Sequence, residues 1–125
     1  METATLVYSH PLDLVSVSSL FSDLPLASSS PAMLAFDGGP GSHAQLRGVD
    51  EAQVAPDADE SKEIRLAVAT PHYVFLDYSD ARLARSIVER LVSRGQGPLL
   101  LQVDGMFAAP DKAIPEFARL VRQVD

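Results

Sequence analysis

The stretch His72–Gly95, HYVFLDYSDARLARSIVERLVSRG, contains the two most clearly patterned elements of the chain. Its first six residues include a consecutive apolar run, Tyr-Val-Phe-Leu, which is typical of a strand covered on both faces. The rest predicts a helix over Ala81–Arg94, because Asp80 is a good N-cap, apolar residues recur at helical spacing, and Gly95 suits the position after the last turn. A strand followed directly by an amphipathic helix favours α/β layering.

Similar patterns along the chain predict further strands and helices. The predicted strands, with His72–Asp77, are Thr3–Tyr8, Ala32–Phe36, Ile64–Ala69 and Pro98–Val103. The predicted helices, with Ala81–Arg94, are Pro11–Asp23 and Asp111–Gln123. Strands that alternate with helices predict an α/β fold with a mixed or mostly parallel sheet of about five strands and three helices. If Thr70-Pro71 bends the chain between two strands, the order approaches the alternative, a ferredoxin-like α+β sandwich.

The composition is that of a globular protein. The chain has 125 residues, of which 46% are hydrophobic and 22% charged, so a single domain over residues 1–125 can bury a core. It contains no cysteine, which excludes disulfides and thiolate metal sites. The amino terminus, METATLVYSHP, lacks a basic segment and a long apolar run, and no apolar run elsewhere is long enough to span a membrane. We therefore expect a cytoplasmic protein.

The charge is acidic and unevenly distributed. The net charge is −7, and residues 1–63 contain ten acidic and two basic residues, whereas residues 64–125 contain seven acidic and eight basic ones. Because nucleic acids and anionic membranes attract cations, this balance argues against both as partners. The acidity is densest in DEAQVAPDADESKE, Asp50–Glu63, with six carboxylates and one lysine. This stretch belongs to a predicted long acidic loop at about residues 37–63, longer than ordinary connections.

The acidic stretch predicts a surface for a basic protein. Carboxylates held on one face raise the rate at which a cationic partner associates and set its orientation. Inhibitors of basic enzymes, such as immunity proteins of bacterial toxins and nuclease inhibitors, use this physics. We therefore expect a non-enzymatic binding module, most simply a stoichiometric inhibitor of this kind, without a cofactor. The predicted partner-binding residues are Asp50, Glu51, Asp57, Asp59, Glu60 and Glu63. A solvated loop that only keeps the chain soluble is the competing interpretation.

Three aspartates near strand ends provide an alternative function. Asp37 follows one predicted strand, Asp77 ends another, and Asp104 follows a third. In an open parallel sheet the carboxyl ends of strands converge on one edge, where carboxylates hold Mg²⁺ and position a phosphoryl group. The alternative is therefore a small Mg²⁺-dependent phosphate-handling or receiver-like domain. The dipeptides Asp37-Gly38 and Asp104-Gly105 are equally typical of hairpin turns. The sequence leaves the oligomeric state open.

Overall fold

One open sheet of antiparallel strands forms the centre of the domain. The computed structural model describes residues 1–103, 105 and 107–124, with residues 118–124 described by their helical backbone. Within these residues the strands are β1 (Glu2–Tyr8), β2 (Leu26–Ser29), β3 (Met33–Asp37), β4 (His43–Val49), β5 (His72–Tyr78), β6 (Leu100–Gln102) and β7 (Phe107–Ala108). Their order is β2-β3-β4-β5-β1-β6-β7, and each neighbouring pair is antiparallel. The predicted mostly parallel sheet of about five strands is wrong, and so is the four-stranded ferredoxin-like alternative.

Five helices accompany the sheet in the described part of the chain. They are α1 (Leu14–Val17), α2 (Glu51–Val54), α3 (Ala58–Ala67), α4 (Ala81–Ser93) and α5 (Pro110–Val124), and a 3₁₀ turn, Ser18–Phe21, follows α1. The predictions of α4 and α5 are confirmed, and Asp80 caps α4 by accepting from the backbone N–H of Arg82 at 2.9 Å. None of these helices is long and apolar enough to cross a bilayer.

The predicted helix Pro11–Asp23 is much shorter in the structure. Helix α1 begins only after Asp13, whose carboxylate accepts from the backbone N–H groups of Val15 and Ser16. The hydroxyls of Ser18 and Ser19 then donate to backbone carbonyls one turn earlier. Such local side-chain bonds compete with a regular helix, so the serine-rich segment ends in a 3₁₀ turn.

The predicted long acidic loop at residues 37–63 is also wrong. It contains β4, α2 and most of α3, and the predicted strand Ile64–Ala69 belongs largely to α3. A glycine-rich hairpin joins β3 to β4, with Gly39 at φ 106° and Gly41 at φ 77°, values that favour glycine. Short connections join β2 to β3, β3 to β4 and β6 to β7, and strands joined in this way are antiparallel. The other antiparallel pairs, β4 with β5, β1 with β5 and β1 with β6, are formed by strands that longer segments separate in sequence.

The two faces of the sheet are covered unequally. On one face α1, α4 and α5 enclose the main core, where the rings of Phe21 and Phe36 pack edge to face with centroids 5.2 Å apart. On the other face α3 covers a smaller cluster of buried residues, namely Val7, Ile64, Val68, Tyr73 and Phe107. Beyond α3 this second face carries a polar strip of β1, β4 and β5 side chains, here called the open strip: Thr3, Thr5, Gln45, Arg47, Phe75 and Asp77. The acidic helices and the open strip therefore lie on the same side of the domain.

Candidate partner-binding surface

Two capping boxes convert the acidic stretch into ordered helices. The Asp50 carboxylate accepts from the backbone N–H of Gln53 at 3.0 Å, and the Gln53 side-chain oxygen accepts from the backbone N–H of Asp50 at 3.1 Å. Asp57 and Glu60 repeat this arrangement at 2.8 and 3.1 Å. Each box satisfies N–H groups that the start of a helix leaves unpaired. The stretch is therefore a pair of short helices, α2 and α3, and not an irregular loop.

Helix α3 is fixed to the sheet by one apolar side. Ile64 is fully buried among Val7, Tyr73 and Phe107, and Val68, one turn later, joins the same cluster. The opposite side of α3 faces solvent, and there Leu66 is 82% exposed. The packing of Ile64 and Val68 thus determines which α3 side chains point outward.

Most of the predicted partner-binding residues also have a structural role. Asp50, Asp57 and Glu60 belong to the capping boxes of α2 and α3. The Glu51 carboxylate accepts from Nη2 of Arg65 at 2.8 Å and from the Tyr73 hydroxyl at 3.1 Å. Burial, together with the hydrogen bond to Glu51 and its charge, raises the pKa of the Tyr73 hydroxyl to about 12.

The other two predicted partner-binding residues, Asp59 and Glu63, have no structural role among the described residues. Asp59 is exposed and Glu63 is half-buried, and neither forms an ion pair with a residue that the structure describes. Among the bases of α3, Arg65 is paired with Glu51, which leaves Lys62 as the other cation of this segment. Four of the six carboxylates are therefore held by hydrogen bonds, and α2 and α3 with their caps carry six acidic residues against Lys62 and Arg65.

A hydrogen-bond network on the open strip was missed by the sequence analysis as a potential site. The carboxylate of Asp77, only 6% exposed, accepts from Nε of Arg47 at 2.8 Å, from Nε2 of Gln45 at 3.0 Å and from the Thr3 hydroxyl at 2.7 Å. Burial alone raises the pKa of Asp77, but these hydrogen bonds and the Arg47 charge outweigh burial and lower it. The Arg47 guanidinium also lies over the Phe75 ring, 5.1 Å from its centroid. The network fixes Arg47 flat against the sheet.

Two of the three strand-end aspartates, Asp37 and Asp77, are held apart by the strand between them. Strands β3 and β5 run in the same direction, so Asp37 and Asp77 lie toward the same end of the sheet, but β4 separates them by two strand spacings, roughly 10 Å. Asp37 accepts from the backbone N–H of Gly39 at 3.0 Å in the hairpin, as its turn dipeptide predicts. Asp104 lies outside the described residues. Within the described ranges, no group of three or more His, Asp or Glu side chains is placed to hold a metal ion.

Comparisons with known proteins leave the function to be argued from this chemistry. No family model matches the chain, and no curated protein and no solved structure matches it. A fold alone would in any case not specify an activity, because unrelated functions share folds.

The cap role of Asp57 leads to a testable difference from Asp59, two residues later in the same helix. Asp57→Ala removes a cap hydrogen bond and is expected to lower the free energy of unfolding by about 1 kcal/mol. Asp59→Ala removes the same charge without removing a cap and should change it by less than about 0.5 kcal/mol. Urea denaturation of both variants measures the difference. Equal losses in the two variants would show that Asp57 does not act as a cap.

Proposed function

We propose that the protein is a non-enzymatic binding module that uses the surface of α2 and α3 to bind a basic protein. The observation that carries the proposal is the pair of capping boxes, because they hold a dense set of carboxylates in a fixed arrangement on helices attached to the sheet. A fixed negative surface attracts a cationic partner over a distance and orients it before contact.

The partner that suits this surface best is a basic enzyme whose active site binds phosphates, such as a nuclease toxin. Carboxylates presented by α2 and α3 would then occupy positions that the enzyme offers to phosphate groups. The protein would act as a stoichiometric inhibitor of immunity type, in the cytoplasm. This interpretation needs no bound cofactor and gives the ordered carboxylates a purpose beyond helix capping.

The proposal is tested by removing charge without removing caps. In the variant Asp59→Asn/Glu63→Gln both capping boxes remain intact, so α2 and α3 should stay folded. We expect this variant to associate with its basic partner at least about threefold more slowly at low ionic strength, and the difference should shrink as salt rises. The partner is isolated by co-purification from the native host, and association rates are measured by stopped-flow fluorescence.

A matched control removes two carboxylates elsewhere. Glu2 and Asp111 are both exposed, and Asp111 belongs to α5 on the opposite face of the sheet. Glu2→Gln/Asp111→Asn changes the net charge by the same amount and should slow association much less. If both double variants associate at the wild-type rate, or if salt does not affect the wild type, the acidic surface is not the binding site.

A further inference from the structure

A cavity of about 410 Å³ opens to solvent where β4 ends and β5 begins. Its lining includes apolar groups, Pro11, Leu12 and Val74, and polar ones, Asp50, Gln53 and His72. A volume of this size lies within the range of pockets that bind small ligands, so it can hold one long side chain. The cavity adjoins the start of α2 and is thus continuous with the acidic surface.

Gly48 is one of the residues that line the cavity, and it leaves open space there because it has no side chain. Gly48 lies within β4 opposite Val74, on the same face of the sheet as the buried Leu46. A Cβ atom placed on Gly48 would meet nothing within 4 Å, so the glycine is not required by close packing. Glycine also weakens a strand, and within a strand it often marks a bulge, a tight bend, or a close approach by a ligand or another backbone. The missing side chain leaves open space where a Cβ atom would fit.

The lining fits a side chain with an apolar stem and a cationic end. Pro11 and Leu12 offer apolar surface, whereas Asp50 supplies a carboxylate. Only one oxygen of this carboxylate is used by the capping box, since the backbone N–H of Gln53 bonds Oδ1. Long basic side chains combine an aliphatic stem with a charged head in this way.

We propose that this pocket receives a lysine or arginine side chain of the basic partner, with the stem on Pro11 and Leu12 and the cationic group on Asp50. The inference rests on the proposed function, because it supplies the contact by which a basic partner is anchored next to the acidic helices. Anchors of interfaces are commonly long or aromatic side chains that fill pockets, and arginine is enriched among them.

The pocket is tested with small probes, without the partner. Backbone amide resonances are followed by NMR while N-acetyl-arginine amide, N-acetyl-lysine amide or the neutral isostere N-acetyl-citrulline amide is added. We expect saturable shifts at Gly48, Gln53 and Val74 with at least one cationic probe, at a dissociation constant of roughly 1–10 mM. The citrulline probe, which lacks the positive charge, should bind at least about tenfold more weakly than the arginine probe.

Two variants distinguish the contribution of the cavity's shape from that of the Asp50 charge. Gly48→Val places an isopropyl group in the open space opposite Val74 and narrows the cavity, in a strand position that favours β-branched residues. The domain should be at least as stable, while the cationic probe binds at least about tenfold more weakly. Asp50→Ser keeps a capping oxygen but removes the carboxylate, so binding of the cationic probes should weaken while that of citrulline stays unchanged. Leu66→Ala, on the outward side of α3, should leave probe binding unchanged.

The pocket proposal fails if the shifts scatter over α2 and α3 without saturating, if citrulline binds as well as arginine, or if Gly48→Val binds the cationic probes like the wild type. These outcomes can be told apart from failure of the proposed function. Gly48→Val keeps all six carboxylates, so a partner that still associates with it in a salt-dependent way would support the binding module and overturn only the pocket. A partner whose association ignores salt would overturn the binding module itself.

Discussion

Ile64→Ala is expected to lower the free energy of unfolding by about 3 kcal/mol, because it leaves a cavity in a fully buried site. Ile64 is the central contact between α3 and the sheet, where it packs with Val7, Tyr73 and Phe107. The cluster is small, so little other apolar contact can compensate for the truncated side chain. The loss should be concentrated in α3, with faster amide hydrogen exchange there than in α4, which belongs to the main core.

The matched control is Leu66→Ala, which shortens an aliphatic residue of the same helix. Leu66 is 82% exposed, so its truncation should change the free energy of unfolding by less than about 0.5 kcal/mol. Urea denaturation compares the two variants, and hydrogen exchange locates the effect. Similar small losses for both would mean that α3 is not held by Ile64. Ile64→Ala should also slow association with the basic partner, because an unfixed α3 no longer presents its carboxylates in one arrangement.

The sequence identifies the elements of this domain better than it identifies their arrangement. The helix at Ala81–Ser93 has an N-cap, an apolar stripe and a glycine after its last turn. These local features predict both of its ends to within one residue. Strand β4 also has a local pattern, since Ala44 and Leu46 alternate with Gln45 and Arg47. It was not predicted, because turn-forming residues flank this short alternation. The pairing of β1 with β5 joins residues more than sixty positions apart, and no local pattern specifies such a contact.

The error over Ile64–Ala69 shows where two local patterns compete. Its apolar residues predict a strand, but Asp57 and Glu60 are spaced as a capping box, which starts a helix that extends to Ala67. Ile64 lies in α3 and Val68 is its C-cap, one turn later, and both side chains are buried in the same cluster. The D-x-x-E spacing was therefore the sequence feature able to identify α3, and likewise D-x-x-Q for α2.

The acidic surface follows from composition, whereas the polar network of the open strip does not. Counting charges places the carboxylates of residues 50–63 in the right part of the chain. The contact between Arg47 and Asp77 depends on the antiparallel register of β4 and β5, which sets Gln45 opposite Asp77. A prediction with the wrong strand directions therefore cannot identify this network, because it does not pair β4 with β5 in this register.

Asp77→Asn is expected to lower the free energy of unfolding by about 2 kcal/mol at neutral pH, because it removes the buried charge that Arg47 and two neutral donors stabilise. This expected loss is smaller than that for a fully buried ion pair, since the Arg47 side chain is about one-third exposed and solvent screens its charge. Asp37→Asn makes the same chemical change at an exposed turn and is the control, with an expected loss below about 0.5 kcal/mol.

The pH dependence of this loss gives the sharper test. The pKa of Asp77 is lowered in the folded state, so the stability that it contributes is complete above the unfolded value of about 3.9 and is lost as pH falls through the folded value. Wild type and Asp77→Asn should therefore differ fully at pH 7 and progressively less below about pH 4. Urea denaturation across this range measures the difference. If the difference in free energy of unfolding between wild type and Asp77→Asn stays constant down to acid pH, Asp77 stabilises the sheet through shape and hydrogen bonding, without a contribution from its charge.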